Sequence, residues 1–427
     1  MRTLLLRRAR VLDPASGLDA VRDVLLEGDR VVKVGARIPR REGSTVLDLD
    51  GLVLVPGLID MHVHLREPGQ EWKETIASGA AAAAAGGFTA VATMANTVPV
   101  NDCRAVTELI VAEARRHAAV RVYPVGAVSK GLEGRELAEI GDMIAAGAVA
   151  ISDDGRAIMD GSLMRRALEY SRIFGVPVLA HEIDEQMAKG GVIHEGKVST
   201  LLGLPGQPAH AEEALVARDL LIAEDTGGRL HVQHLTTARG LEMIRQAKKR
   251  GVRVTCEVTP HHLALTDEAL VGFDTDLKMA PPLRPEKDRQ ALVRGLRDGT
   301  VDAVATDHAP HHPDEKAVEF SRAPFGTIGL ETAVPVFLTR FVHEGGMDLL
   351  AFARLFSLGP ARALGVPGGT IEPGGVADLT VIDLDREGRI DPEKFRSRAR
   401  NTAFKGWATR GAAVMTIVGG RVVHDDR

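Results

Sequence analysis

Eight apolar runs of strand length recur through the middle of this chain, at residues 58–65, 89–94, 120–128, 149–152, 176–181, 230–235, 252–258 and 301–306. Between most of them lie stretches of helical length with an amphipathic pattern, such as 104–117 and 211–224. The runs are nearly continuous in apolar residues, as strands are when both faces are buried. A parallel neighbour needs a crossover, and the crossover is usually a helix. Eight such units are the number that closes a (β/α)8 barrel. A doubly wound open sheet is the alternative, but no Gly-x-Gly-x-x-Gly turn follows the first run. The expected fold class is α/β, with a TIM-like (β/α)8 barrel at its centre.

The two ends of the chain read differently. Apolar runs at 21–26 and 31–34 flank Glu27-Gly28-Asp29-Arg30, a hairpin signal, and 46–55 follows. Runs at 379–382 and 414–418 precede Gly419-Gly420, which turns into 421–423. Neither end holds enough strands for a sheet of its own. The expectation is a small β-sandwich domain built from 1–55 plus 366–427, with the barrel, 56–365, inserted between them. The alanine-rich run 79–87 is expected to be a helix whose small face lies close against the barrel, ended by Gly86-Gly87.

Composition narrows the function. The net charge is −5 and no basic run is long enough to track a phosphate backbone, which argues against a nucleic-acid partner. Two distant cysteines, Cys103 and Cys256, exclude a disulfide scaffold and a cysteine-only zinc site. No run of about 18 large apolar residues suggests a membrane span, and 1–10 lacks the apolar core of a secretory signal, so the expected location is the cytoplasm. Asparagine occurs only at Asn96, Asn101 and Asn401, a bias that a hot environment and a GC-rich genome explain equally well.

Polar residues fall at one end of the strand runs, where barrel active sites lie. The first run ends in His62-Val63-His64, the fourth in Asp153-Asp154, the fifth in His181, the sixth in His234 and the eighth in Asp307-His308. Side chains two apart on a strand share a face, so His62 and His64 make half of a metal site. A single catalytic zinc needs three protein ligands, whereas four histidines and two carboxylates suit two metals sharing one carboxylate. Nitrogen and oxygen donors without thiolate favour zinc, with cobalt or manganese as substitutes. Parity does not choose between Asp153 and Asp154, because the strand end can bend. His231 competes with His234, which stands nearer the strand end. Cys256, His261 and His262 read as structural.

These residues carry a resemblance. Pro-Gly-Leu-Ile-Asp-Met-His-Val-His at 56–64 resembles the opening signature of the amidohydrolase superfamily. His-Leu-Arg-Glu-Pro-Gly at 64–69, Met-Ala-Asn-Thr at 94–97, Ser-Asp-Asp-Gly at 152–155, the segment 278–284, Ala-Thr-Asp-His-Ala-Pro-His at 305–311 and Pro-Phe-Gly at 324–326 resemble the dihydroorotases of the bacterial first type. The likeness runs along essentially the whole chain. It implies two Zn2+ per subunit, bridged by Asp154 and a hydroxide. His62, His64 and Asp307 would hold the first, and His181 and His234 the second. Many relatives bridge with a carbamylated lysine at the end of strand four; here Lys130 lies in the preceding unit, and Asp154 takes that place.

The resemblance also implies a substrate, (S)-dihydroorotate, a cyclic amide bearing a carboxylate. Such a pocket needs fixed positive charge, and Arg66, two residues past His64 and so expected on the same strand face, is placed to grip a carboxylate with two parallel bonds. The alternative for Arg66 is a surface ion pair with Glu67 or Glu71. By resemblance His64, Arg66, Asn96 and His311 contact substrate, and the backbone at Phe325 and Gly326 holds the ring. One departure stands at Ala280, where the related motif carries a substrate-binding asparagine; Ala95 replaces a common proline. Asp307 would act as general base and then general acid in reversible cyclisation of N-carbamoyl-L-aspartate, a step of pyrimidine (UMP) synthesis. The segment 311–325 reads as a mobile lid. Rival readings are a hydantoinase, dihydropyrimidinase or allantoinase, and an inactive scaffold for aspartate carbamoyltransferase. Association with that transferase, or self-association, is compatible with the resemblance.

Overall fold

The computed structural model describes residues 2–427. The first five strands are β1 (Thr3–Asp13), β2 (Leu18–Glu27), β3 (Arg30–Gly35), β4 (Thr45–Asp48) and β5 (Val53–Pro56). The barrel strands follow as β6 (Leu58–Val63), β7 (Phe88–Thr93), β8 (Arg121–Gly126), β9 (Ala150–Ile151) and β10 (Val178–Ala180). A small parallel pair, β11 (Ile193–His194) and β12 (Gly206–Gln207), sits in the loop after β10. The barrel resumes with β13 (Leu230–Val232), β14 (Val254–Val258) and β15 (Ala303–Val304), and the chain ends with β16 (Leu379–Arg389), β17 (Ala408–Val418) and β18 (Arg421–Asp425).

The eight barrel strands are hydrogen-bonded in the order β6-β7-β8-β9-β10-β13-β14-β15, every pair parallel. Closure comes just past the last strand, where Val63 bridges His308 in parallel. All eight runs read from sequence became barrel strands, though several are shorter than their apolar runs. The chain leaves the ladder early at its polar ends, so His181 and Asp153-Asp154 stand in the turns that follow.

The burial pattern explains the shape. Ile59 and Met61 pack with Ala90, Ala92, Ala150, Leu179, Ala303 and Ala305, a set of small side chains that fills a narrow barrel interior. Leu58, Val63, Phe88, Val91, Val178 and Val232 join a larger cluster with the surrounding helices. Those helices have local causes. Thr75 caps Ile76–Ala85 through the Ser78 amide, Asp160 caps Gly161–Phe174, and Thr237 caps Ala238–Lys249. The alanine-rich helix buries Gly79, Ala80, Ala82, Ala83 and Ala84, as its composition suggested. Behind it, Gly86 lies so close to the Leu330 carbonyl that a Cβ there would stand 2.0 Å from the oxygen.

The two chain ends meet in one small β domain. Its strands are bonded in the order β18-β17-β16-β5-β1-β2-β3, with β4 parallel to the first half of β1. A register shift in β1 between Leu6 and Ala9 lets β4 and β5 share one strand edge. Leu4, Leu6, Val11, Val24, Leu54, Leu379, Val381 and Ile417 form its core. Thr380 and Thr416 tie it to the barrel, their hydroxyls donating to the Gly87 and Ala84 carbonyls at 2.7 Å each.

Candidate active site

The polar strand ends converge at one mouth of the barrel, around the carboxylate of Asp154. Its Oδ2 lies 3.3 Å from the Nε2 of both His62 and His64. Its Oδ1 lies 3.4 Å from His181 Nδ1 and 3.4 Å from His234 Nε2. Asp307 approaches only the first pair, Oδ1 standing 3.1 Å from His64 Nε2 and 3.5 Å from His62 Nε2. One carboxylate thus reaches both histidine pairs, each through a different oxygen. Tetrahedral metal–nitrogen bonds of about 2.0–2.1 Å put neighbouring donor atoms about 3.4 Å apart, close to these spacings. His62 Nε2 and Asp154 Oδ1 are buried and lack a hydrogen-bond partner, as atoms facing a shared cation would be. The residues fit a metal cofactor, in two donor groups that share Asp154: His62 with His64, and His181 with His234.

A second layer of side chains aims the first. Glu257, fully buried in β14, accepts from His62 Nδ1 at 2.7 Å, leaving the Nε2 lone pair directed at the cluster. His231 donates to the other oxygen of Glu257 at 3.2 Å and bonds Thr255 through its second nitrogen. Burial works against ionisation of Glu257, yet His62 and His231 bring its pKa down to about 2. His64 Nδ1 donates to Asn96 Oδ1 at 2.8 Å. Burial likewise opposes charge on Asp154 and Asp307, but the imidazoles around them, His62 foremost, hold both carboxyls well below the usual carboxylate range.

The cluster forms the floor of a cavity of about 360 Å³. Arg66, Asn96, Ala280, His311, Phe325 and Gly326 line its walls. Arg66 makes no ion pair with Glu67 or Glu71; those carboxylates accept from the Ile76 and Gly69 amides instead. Its Nε donates to the Pro310 carbonyl at 3.2 Å, and burial lowers its pKa only to about 10, so it stays charged at neutral pH. The strand-parity reason for placing Arg66 beside His64 does not hold. β6 ends at Val63, and Arg66 faces the cavity because its backbone turns left-handed, with φ 63°. His311 uses Nε2–H on the Phe325 carbonyl at 2.8 Å. The 311–325 segment gives His311, Pro324 and Phe325 to the cavity wall. It is fastened by Lys278, whose ammonium donates to the Ser321 and Ala323 carbonyls at 2.9 and 2.6 Å, and by Lys316, which donates to Thr275 and Pro324 at 2.9 Å each.

The chain is 52% identical over 425 residues to a dihydroorotase of Anaeromyxobacter sp. strain K, covering 99% of this chain and 98% of the relative. It is 52% identical over 424 residues to a dihydroorotase of Pelotomaculum thermopropionicum, covering 99% of each. The chain belongs to the dihydroorotase family. A family described as Dihydro-orotase-like matches residues 51–239, and one described as Amidohydrolase family matches 225–424. Solved hydantoinases share the fold: an L-hydantoinase from Arthrobacter aurescens superposes with a TM-score of 0.90 at 26% identity over 100% of this chain and 97% of that one. A D-hydantoinase from Thermus sp. gives 0.85 at 25% identity, covering 99% and 95%.

Within this member of the dihydroorotase family the competing residues point in different directions. Asp153 turns away from the cavity and accepts from the amides of Val128 and Ser129 at 2.8 and 2.9 Å, so Asp154 alone faces the histidines. His231 lies behind the cluster and His234 within it. His262 is held by Thr259 and the Pro281 carbonyl, and Cys256 is buried in the core. The sequence reading missed Glu257, Gln233 and Lys278. Gln233 Nε2 lies 3.1 Å from His62 Nδ1, and its Oε1 accepts from Ser152. A signal existed: each is a polar residue inside or just past an otherwise apolar strand run or loop.

Proposed function

We propose that this protein interconverts N-carbamoyl-L-aspartate and (S)-dihydroorotate, using two zinc ions held by His62, His64 and Asp307 and by His181 and His234, with Asp154 shared between them. The observation that supports this most is the split contact of Asp154 with two histidine pairs, beneath a cavity that carries an arginine without an ion pair among the described residues. When bound, the metal ions polarise the ring amide carbonyl and lower the pKa of the attacking water.

The side chains do the rest. Arg66 grips the substrate carboxylate as a planar, permanently charged fork. Asn96 has its carbonyl oxygen occupied by His64, so its Nδ2 is the atom left for substrate. Asp307, ionised and beside His64, takes a proton from the attacking water and delivers it to the departing ring nitrogen; in cyclisation it runs in reverse. Gly326 presents backbone where a side chain would collide, since a Cβ would stand 2.7 Å from Ala309 Cβ. Ala280 lines the cavity without an amide to offer, which leaves Arg66, Asn96 and the backbone at 325–326 to hold the substrate.

The hydantoinase likeness supplies a second reading. Two features weigh against it: the unpaired Arg66 in the wall, and the absence of any lysine among the described cavity-lining residues. Lys130 pairs with Glu136 at the surface. The test joins metal analysis to assays with carbamoyl aspartate at mildly acidic pH and with dihydroorotate, hydantoin, dihydrouracil and allantoin side by side. Two metals per chain and turnover confined to the first two substrates are expected. Preferential opening of hydantoin or dihydrouracil would sink the proposal.

A further inference from the structure

Residues 390–407 leave the terminal sheet between β16 and β17, and one side chain of this excursion reaches the cavity walls. Asn401 is buried, 4% exposed. Its Nδ2 donates to the Ala309 carbonyl at 3.1 Å and to the Gly326 carbonyl at 3.2 Å. Its Oδ1 accepts from the His311 amide at 3.1 Å. A single carboxamide thus closes onto three backbone groups, from the two adjacent limbs of the loop after β15, which also touch through the Ala309 amide on the Thr327 carbonyl at 2.9 Å. The excursion is seated by its own backbone as well. The Asn401 carbonyl accepts from the Ile328 amide at 2.9 Å and from Thr327 Oγ1 at 3.0 Å, and Thr327 Oγ1 accepts from the Ala403 amide at 2.9 Å.

Only a primary amide of this length meets the demand. Two carbonyls need two N–H donors, and one amide needs an acceptor. A carboxylate would set an oxygen against two carbonyl oxygens. An alanine would leave all three buried backbone groups without partners. The join is also tight, because Gly326, at φ 132°, sits against Ala309 and His311 with no room for a Cβ. Slack between these limbs would therefore move His311, Phe325 and Gly326 relative to the metal cluster without touching any group in that cluster.

We propose that Asn401 is a positioning residue for substrate binding: through it the excursion from the terminal β domain fixes the two limbs of the loop after β15 against each other. The inference rests on the substrate reading above. The experiment is steady-state kinetics with dihydroorotate for Asn401→Ala, Asn401→Asp and Thr327→Val, alongside metal content and thermal midpoint. For the Asn401 variants KM should rise about tenfold or more, the scale of one buried group left unpaired, while kcat stays within about threefold and metal content is unchanged. Thr327→Val loosens the excursion from outside the cavity and should raise KM by about threefold. Should the Asn401 variants fail to fold, Thr327→Val decides alone. A KM equal to wild type, or a kcat loss that follows metal loss, overturns the inference. A lowered midpoint with unmoved KM also overturns it, as a merely structural residue would give that result. Wild-type protein inactive on dihydroorotate overturns the substrate assignment and this inference together; active wild type with unmoved variants overturns this inference alone.

Discussion

Asp307 lies 3.1 Å from His64 and is the one carboxylate of the cluster that contacts a single histidine pair and lines the cavity. Asp307→Asn keeps the shape and an oxygen donor but removes the proton acceptor. Turnover should fall by about 10²–10⁴ with most of the metal retained, measured by kinetics and metal analysis on one sample. Wild-type turnover would end the proton-transfer role. Arg66→Lys keeps a positive charge but loses the two-pronged grip, so KM for dihydroorotate should rise more than kcat falls. Glu257 links residue chemistry to stability. Its folded pKa, about 2, lies below the ordinary glutamate value of about 4.3. A depressed acid contributes stability above its unfolded pKa and loses it as pH falls toward the folded one. Metal-free protein should therefore lose thermal stability between about pH 4.3 and pH 2, and Glu257→Gln should flatten that part of the curve.

Among the elements, the alanine-rich helix Ile76–Ala85 shows how a compositional signal becomes a packing constraint. Its small residues let it lie against the barrel wall, and Gly86 ends it where the Leu330 carbonyl leaves no space. Gly86→Ala should cost about 1–3 kcal/mol by overpacking, read from denaturant unfolding, while folded protein keeps its kcat. Strand existence was legible because buried parallel strands are long apolar runs. Strand ends were not. The last two or three residues of several runs leave the ladder, and a period-2 argument lapses there. Arg66 reached the cavity by a left-handed turn rather than by strand parity. Asp153 and Asp154 point opposite ways because the amides of Val128 and Ser129 capture the first.

For the whole molecule, the cluster joins six residues from five strand ends and should act as a fastening. Removing metal with a chelator should lower the thermal midpoint by several degrees, and zinc should restore it, since a ligand bound only by the folded state adds about 3–4 kcal/mol at 100–1,000 times its Kd. The 311–325 segment, which gives residues to the cavity wall, is pinned by Lys278 and Lys316. Saturating dihydroorotate should slow proteolysis within it, and identical cleavage with and without ligand would remove the lid reading.

The sequence alone determined the barrel, the joining of the two chain ends and the histidine and aspartate types at the strand termini. Apolar periodicity and interruptions of it are local properties, readable one segment at a time. Tertiary structure decided which oxygen of Asp154 meets which histidine pair, that Glu257 and Gln233 stand behind His62, and that an asparagine some ninety residues further on braces the loop carrying Ala309, His311 and Gly326. Such contacts depend on directions of side chains brought together by closure of the sheet, and no pattern along a single segment encodes them.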